Sequence, residues 1–236
     1  MLEDLNVKIF ADGADLDTIL GLGDDARISG FTTNPTLMWK AGLTDYAAFA
    51  ERLLERISEK PISFEVFADS HEEVERQARL IDSWGENVYV KIPVTTTTGE
   101  SMAPLVRELS ESGIKVNVTA VFTTAQVELV TAAVKDGAPS CISVFAGRIA
   151  DAGIDPRPIM AQALHVLVDA PRSELIWASP REILNIVQAD ELGCHIITLT
   201  PDLLGKLDSL GKDLGQFSLE TVQMFRRDAL DAGFTL

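Results

Sequence analysis

The chain contains, between residues 62 and 92, the series Ile62-Ser63-Phe64-Glu65-Val66-Phe67, His71-Glu72-Glu73-Val74-Glu75-Arg76-Gln77-Ala78-Arg79-Leu80-Ile81 and Val88-Tyr89-Val90-Lys91-Ile92. The first and third segments are short and rich in β-branched and aromatic residues, as strands are. In the middle segment Val74, Ala78 and Ile81 recur on one helical face, and Asp69 and Ser70 before it are candidate N-terminal caps. This order of strand, helix and strand predicts a parallel βαβ unit.

The same alternation extends along the whole chain. Eight short apolar runs, each followed by a helical pattern, cover residues 7–11, 28–31, 62–67, 88–92, 115–121, 140–145, 174–178 and 195–198. Eight βα units within 236 residues predict an α/β fold, a single (β/α)8 TIM barrel that forms one domain over residues 1–236. The alternative is an open doubly wound sheet, although no glycine-rich dinucleotide-binding motif follows the first run.

Two helices can be placed more closely. Proline at a plausible first helical position predicts a helix over residues 180–187. An extra helix is expected after the eighth unit, at about residues 217–230, with Leu219, Val222, Phe225 and Ala229 on one face. This face could cover the chain's own barrel or contact a neighbouring copy, and the sequence leaves both open.

Composition and charge exclude several classes of protein. Hydrophobic residues make up 46% of the chain, enough for a sizeable core, and no apolar run approaches the ~20 residues of a membrane-spanning helix. Twenty Lys and Arg against 36 Asp and Glu give a net charge of −16, so neither nucleic acid nor a membrane is an expected partner. Cys141 and Cys194 lie in apolar runs and are expected to be buried free thiols. Residues 1–6 lack a secretory-signal pattern, so we expect a cytoplasmic protein.

Polar residues stand late in these otherwise apolar runs. They are Asp12, Thr33, Asn34, Glu65, Lys91, Thr119, Ser143, Ser179 and Arg181. Because the catalytic groups of barrel enzymes lie at the C-terminal ends of the strands, these residues predict an active site there.

Lys91 is the strongest candidate for a catalytic residue among them. Alternation places Lys91 on the face of its run opposite to Val90 and Ile92, which points to the barrel interior. Apolar walls disfavour the charged form of a lysine, and a neutral amine attacks a carbonyl to form a Schiff base. The alternative is a lysine that extends to solvent, but a parallel strand followed by Pro93 offers no exposed edge.

Schiff-base chemistry also needs groups that move protons. Glu65 and Thr119 lie on the neighbouring runs, and Asp12 could accept a hydroxyl proton as a carbon–carbon bond breaks. Each residue has a structural alternative, because Asp12 could cap a helix, Glu65 could merely pair with Lys91, and Thr119 could fill space.

An anion site is predicted after the sixth and seventh runs. Arg148 follows a glycine there, and Arg181 lies beside Ser179 at the expected start of a helix. Two guanidinium groups, a hydroxyl and a helix N-terminus can bind an oxyanion even on an acidic protein. The alternative is salt bridging at the surface or between helices. The three histidines, which lie on different elements and predict no metal site, are His71, His165 and His195.

Five segments together resemble the transaldolase family. They are Gly30-Phe31-Thr32-Thr33-Asn34-Pro35, Val90-Lys91-Ile92-Pro93-Val94-Thr95, Asn117-Val118-Thr119-Ala120-Val121-Phe122, Ser143-Val144-Phe145-Ala146-Gly147-Arg148 and Ala178-Ser179-Pro180-Arg181. The likeness runs in order over nearly the whole chain. It implies a class I barrel enzyme that transfers a dihydroxyacetone unit between sugar phosphates, with no metal or organic cofactor.

The resemblance also implies roles for individual residues. Lys91 would form the Schiff base, Asp12 would act as acid and base in cleavage, and Glu65 with Thr119 would relay protons through a water. Asn34 and Ser143 would hold the dihydroxyacetone unit, and Arg148, Ser179 and Arg181 would hold the phosphate. Thr33 and Phe145 are further candidates for substrate binding. The chain is similar in length to the compact subgroup, which is often homo-oligomeric through its terminal helix.

The resemblance leaves open whether the enzyme transfers the dihydroxyacetone unit or releases it. Fructose-6-phosphate aldolases typically carry glutamine and tyrosine where this chain has Glu65 and Phe145, and these two residues favour transfer. The alternatives are an aldolase of that type, a specialised sugar-pathway aldolase, and a non-catalytic sugar-phosphate-binding barrel. Ala11-Asp12-Gly13 and Pro180 depart from the family pattern, so the preferred sugar could differ from the pentose-phosphate pair, and a carboxylate or sulfonate could replace phosphate.

Overall fold

The computed structural model describes residues 4–235 and contains a closed barrel of eight parallel strands. The strands are β1 (Lys8–Asp12), β2 (Ile28–Thr32), β3 (Ile62–Glu65), β4 (Val88–Pro93), β5 (Val116–Val121), β6 (Ser140–Val144), β7 (Ser173–Trp177) and β8 (Ile196–Leu199). Each strand pairs with its neighbour in sequence, and β8 closes on β1. The predicted TIM barrel is confirmed. Residues 1–3 and 236 of the predicted domain lie outside the described residues.

Helices surround the barrel. They are α1 (Leu16–Leu22), α2 (Pro35–Lys40), α3 (Tyr46–Leu54), α4 (His71–Asp82), α5 (Ala103–Glu111), α6 (Thr124–Val134), α7 (Ala146–Asp151), α8 (Arg157–Leu167), α9 (Leu184–Leu192), α10 (Pro201–Leu204) and α11 (Leu214–Asp231). Two helices, instead of one, connect β2 to β3 and β6 to β7. Both extra helices, α2 and α7, are short and begin directly after their strands, so their residues border the C-terminal end of the barrel.

The core has two parts because each strand buries both of its faces. The outward faces pack against the helices in one large apolar cluster, and a smaller cluster around Phe10, Cys141, Ile176 and Ile196 fills the barrel interior. Both cysteines are buried and free, as predicted. Gly30 lies beside Phe10 in the β1–β2 register, and its missing side chain leaves room for the Phe10 ring.

The helix predicted over residues 180–187 begins later than expected. In the structure α9 begins at Leu184, and residues 178–183 form a loop. The Asn185 side chain accepts hydrogen bonds from the backbone N–H groups of Arg181 (2.8 Å) and Glu182 (3.2 Å) and so holds these residues outside the helix. The prediction that Arg181 opens this helix was therefore wrong.

The other local predictions hold with small shifts. Ser70 caps α4 by accepting from the Glu73 N–H, whereas Asp69 instead accepts from the backbone N–H of Thr97 at 2.6 Å. The terminal helix α11 begins three residues before the predicted 217, because Asp213 caps it by accepting from the Gln216 N–H.

Helix α11 contributes no buried side chain to the described structure. On its predicted apolar face, Leu219, Val222 and Phe225 are 51%, 61% and 63% exposed. The face therefore does not cover this chain's own barrel. Among the described residues, no helix is both long and apolar enough to cross a membrane.

We expect Gly30→Ala to destabilise the barrel. A Cβ at this position would lie 2.5 Å from Cζ of Phe10, whose ring is buried among the apolar side chains of the barrel interior. Overpacking of this kind costs about 1–3 kcal/mol, measurable as the free energy of unfolding in urea.

The matched control is Gly21→Ala in α1, where an added Cβ meets nothing within 4 Å. It should be neutral or stabilising by up to about 1 kcal/mol. A shorter side chain in the double variant Phe10→Leu/Gly30→Ala should recover part of the loss. Equal stabilities of the Gly30 and Gly21 variants would contradict the close contact.

Candidate active site

A cavity of about 440 Å³ opens at the C-terminal ends of the strands. All the predicted site residues except Thr33 line it, namely Asp12, Asn34, Glu65, Lys91, Thr119, Ser143, Phe145, Arg148, Ser179 and Arg181. They come from β1, β3, β4, β5 and β6 and from the segments that follow β2, β6 and β7. Closure of the barrel thus brings together residues that are far apart in sequence.

Lys91 and Glu65 form an ion pair at the base of this cavity. The two residues are directly paired in the β3–β4 register, and Lys91 Nζ lies 3.0 Å from Glu65 Oε2. Lys91 Nζ also donates a hydrogen bond to the backbone carbonyl oxygen of Thr33 at 2.9 Å. Lys91 is 6% exposed, and its ammonium is held by these two oxygens, so the walls around it are polar as well as apolar. Attack on a carbonyl must begin with transfer of a proton to a neighbouring base.

Asp12 lies at the end of β1, two strands from Glu65 and three strands from Lys91 in the barrel. The Thr32 hydroxyl donates to Asp12 Oδ1 at 2.8 Å. Burial raises the pKa of Asp12 above its ordinary value, while the positive charge of Lys91 and hydrogen bonds from Thr32 and Asn34 oppose the rise. A carboxyl group whose pKa is raised holds its proton more tightly than a free aspartate and can exchange it with a substrate hydroxyl.

Thr119, on the strand next to that of Lys91, carries a buried hydroxyl that has no hydrogen-bond partner among residues 4–235. The next residue, Ala120, has φ +57°, and the β5–β6 register shifts between Val118 and Val121. This bulge breaks the regular strand where Thr119 and Ala120 line the cavity. A buried hydroxyl without a partner needs a water or substrate atom to complete its hydrogen bonding.

A row of hydrogen bonds crosses the barrel below the cavity. Ser143 donates to Asn117 Oδ1 at 2.8 Å, and Asn117 Nδ2 donates to Ser63 Oγ at 3.0 Å. The row fixes the Ser143 hydroxyl while leaving its oxygen as an acceptor. At the opposite wall, Asn34 caps α2 by accepting from the Leu37 N–H at 2.9 Å.

Thr33 is the predicted residue that does not line the cavity. Its side chain is fully buried and donates to the backbone oxygen of Ser63 at 2.9 Å, so it contributes only its carbonyl oxygen, to Lys91. The neighbouring Thr32 lines the cavity instead. Alternation along β2 carried this signal, since Thr32 shares a face with Gly30, which faces Phe10 in the interior.

The anion-binding candidates line one side of the cavity mouth. The guanidinium of Arg148 lies over the Phe145 ring, 5.4 Å from its centroid. Arg181 is half-exposed and pairs with Asp151 through two nitrogens, and Ser179 has φ +56°. Arg181 therefore forms a salt bridge, but it does so from the loop after β7 to helix α7, and it still borders the cavity.

Sequence reasoning missed several lining residues. Those with polar side chains are Thr32, Thr36, Lys40 and Thr198. Thr198 follows Ile196 by two positions on the inward face of β8, so alternation could have found it. Lys40 ends α2, and no local pattern showed that this helix would lie along the cavity.

Residues 9–235 match the family model described as transaldolase/fructose-6-phosphate aldolase. The chain belongs to this family. A protein of Streptococcus equi subsp. zooepidemicus named "Probable transaldolase" is 35% identical over 203 residues, or 85% of this chain and 90% of that protein. A "Probable transaldolase" of Nitrosopumilus maritimus is 32% identical over 203 residues, or 85% of this chain and 87% of that protein. The resemblance stated from the sequence is confirmed.

Solved structures outside the family share the barrel. Dihydrodipicolinate synthase from Rhodopseudomonas palustris has a TM-score of 0.59 at 14% identity, over 84% of this chain and 70% of that chain. A 2,3-dimethylmalate lyase has a TM-score of 0.54 at 14% identity, over 99% and 86%. At these identities the likeness shows the fold alone. Among residues 4–235, His, Cys, Asp and Glu side chains form no group of three that could hold a metal ion.

We expect Asp12→Asn to stabilise the protein while reducing its activity. The folded-state pKa of Asp12 is raised, so stability linked to this group is present at low pH and is lost as the pH rises through the folded-state pKa. Asparagine cannot ionise, so the variant's advantage in unfolding free energy should grow with pH. Turnover should fall by about 10²–10⁴-fold, as on loss of a general acid and base.

Urea unfolding of both proteins at about pH 4 and about pH 8 measures the difference. Asp24→Asn, which removes a charge from an exposed position, is the control. An advantage of Asp12→Asn that shrinks with rising pH would show that Asp12 is stabilising when ionised.

Proposed function

We propose that this protein is a class I transaldolase. It transfers a dihydroxyacetone unit from a ketose phosphate, such as fructose 6-phosphate or sedoheptulose 7-phosphate, to an aldose phosphate. The observation that carries the proposal is the pairing of Lys91 with Glu65 at 3.0 Å inside a cavity that Asp12 and Arg148 also line. Membership of the family and relatives named "Probable transaldolase" support the reaction class.

In the first stage Lys91 becomes a nucleophile. The Lys91 ammonium gives a proton to Glu65, and the neutral amine attacks C2 of the ketose to form a carbinolamine. Glu65 then protonates the carbinolamine hydroxyl, which leaves as water, and the product is an iminium ion. The Thr119 hydroxyl, which lacks a partner among the described residues, accommodates the water through which this proton moves.

In the second stage the carbon–carbon bond breaks. Asp12 accepts the proton of the C4 hydroxyl, the bond between C3 and C4 breaks, and its electron pair flows into the iminium ion to give an enamine. The aldose product leaves with its phosphate. Addition of the enamine to an acceptor aldehyde reverses these steps, and hydrolysis of the new iminium ion frees Lys91. The iminium ion serves as the electron sink, so the chemistry requires no cofactor.

Transfer is favoured over release of free dihydroxyacetone. Phe145 lies at the cavity wall, 5.7 Å from the ring of Phe122, and carries no hydroxyl that could protonate the enamine. The enamine therefore persists until an aldehyde arrives. An aldolase of the fructose-6-phosphate type is the alternative, and it would turn over without an acceptor.

The anion-binding residues define the far end of the substrate. Arg148, Ser179 and Arg181 supply charged and hydroxyl donors, and Asn34 and Ser143 line the same cavity as Lys91. This arrangement suits a sugar with its carbonyl at Lys91 and an oxyanion at the mouth. Phosphate is the proposed anion.

Trapping with borohydride tests the mechanism. Incubation with fructose 6-phosphate and borohydride should leave a three-carbon adduct on the Lys91 peptide, and addition of erythrose 4-phosphate before borohydride should remove it. Lys91→Ala should give no adduct and no turnover. Intact-mass and peptide mass spectrometry measure these outcomes.

The matched control is Lys8→Met, because Lys8 is also a barrel-strand lysine whose Nζ pairs with a carboxylate, that of Glu174, yet it lies outside the cavity. This variant should form the adduct as the wild type does. Binding of the sugar phosphate without any adduct would favour the non-catalytic barrel, and release of dihydroxyacetone without an acceptor would favour the aldolase.

We also propose that the protein is a cytoplasmic homo-oligomer in which α11 contacts a second copy. The exposed Leu219, Val222 and Phe225 support this, since contiguous apolar surface of this kind marks interaction sites. Light scattering should give a mass that is a multiple of 25.6 kDa. Val222→Asp with Phe225→Asp should give a smaller particle, whereas Gln223→Asp, an exposed position on the same helix, should not. A monomeric wild type would contradict the proposal.

A further inference from the structure

The two segments that carry the anion-binding candidates touch through their backbones. Arg148 lies in the first turn of α7, and Ser179 lies in the loop after β7. Gly147 N–H donates to the carbonyl oxygen of Ala178 at 3.3 Å. A Cβ on Gly147 would lie 1.5 Å from the carbonyl oxygen of Ser179 and 2.5 Å from its carbonyl carbon. Both atoms are backbone, so no side-chain rotation could relieve the clash.

The contact depends on an unusual conformation of Ser179. Its φ of +56° lies in the left-handed region that residues with a side chain rarely adopt. Such strain persists only where the surrounding structure holds it, and it tends to occur where a site needs it. Here the first turn of α7 supplies the support, because a glycine at position 147 leaves room for the Ser179 carbonyl.

A second contact joins the same two segments at the other end of α7. Asp151, the last residue of the helix, accepts hydrogen bonds from Arg181 Nε at 3.1 Å and from Arg181 Nη2 at 2.5 Å. A guanidinium has five N–H donors, so this pair leaves donors of Arg181 for a ligand. Helix α7 is thus fastened to the loop after β7 at its first turn and at its last residue.

We propose that Gly147 and Asp151 are positioning residues for the anion site. By fastening α7 to residues 178–181 they fix the distances among Arg148, Ser179 and Arg181, so that all three can donate to one tetrahedral oxyanion. The proposal rests on the proposed function, in which this anion is the phosphate of the sugar. Donors on two separate loops bind one anion tightly only when the loops are held in place beforehand.

The test compares a substrate that needs the anion site with one that does not. Gly147→Ala should raise the KM for fructose 6-phosphate by about tenfold or more, as on loss of charge-assisted hydrogen bonds, with a smaller change in kcat. Borohydride trapping of unphosphorylated dihydroxyacetone on Lys91 should fall by less than the phosphorylated reaction does. Gly21→Ala, with open space around its added Cβ, is the matched control.

Asp151→Asn provides a second variant that leaves the backbone contact intact, in case Gly147→Ala does not fold. It should weaken inhibition by inorganic phosphate by about threefold or more, because Arg181 loses its orientation. Tighter phosphate binding by Asp151→Asn would show that Asp151 merely reduces the local positive charge, and would overturn its positioning role. Equal losses with phosphorylated and unphosphorylated donors would overturn the role of Gly147.

Failure of the proposed function is distinguishable from failure of this inference. If the wild type does not react with fructose 6-phosphate, protection of the folded protein against urea unfolding by inorganic phosphate still reports on the anion site. Weaker protection in Gly147→Ala and Asp151→Asn than in Gly21→Ala would then support the positioning role. Equal protection in all three variants would overturn it, whatever the reaction.

Discussion

The ion pair between Lys91 and Glu65 is the interaction on which the site depends. Removing two charges from water is costly, and their mutual attraction offsets the cost only when the geometry is good and further hydrogen bonds are made. The parallel register of β3 and β4 sets the two side chains opposite each other, and the Thr33 carbonyl supplies the further acceptor. Removal of either partner would leave an uncompensated buried charge. The stability of this end of the barrel therefore depends on the same two residues as the proposed chemistry.

The overall charge and the charge at the cavity mouth have opposite signs. A net charge of −16 repels anions over most of the surface, yet Lys40, Arg148 and Arg181 line the cavity. Because exposed charges are screened within about 10 Å at moderate salt, the local cations determine what binds at close range. The net negative charge disfavours the approach of polyanions, whereas a small anion at the cavity meets the field of these local cations.

The barrel could be predicted from the sequence because the pattern that specifies it is local and repeats along the chain. Each strand has its own apolar run, and eight runs in 236 residues leave few alternatives. The inward face of a strand was also predictable for Lys91, since alternation identifies it. The same rule shows why the prediction that Thr33 lines the site failed, because its neighbour Thr32 occupies the inward position. Lys40 could not be predicted, because its place at the cavity follows from how α2 packs. The Ser179 loop could not be predicted either, because a long-range contact with Gly147 supports its conformation.

Strain in the described chain is concentrated at the cavity. Ala120 and Ser179 are the non-glycine residues with positive φ among residues 4–235, and both line it. Such conformations cost about 1–3 kcal/mol each and persist only where packing imposes them. At Ala120 the closed β5–β6 ladder imposes the bulge, and at Ser179 the first turn of α7 does so. The stability of the regular barrel therefore offsets the strain at its rim. Loops alone could not hold residues in these strained conformations.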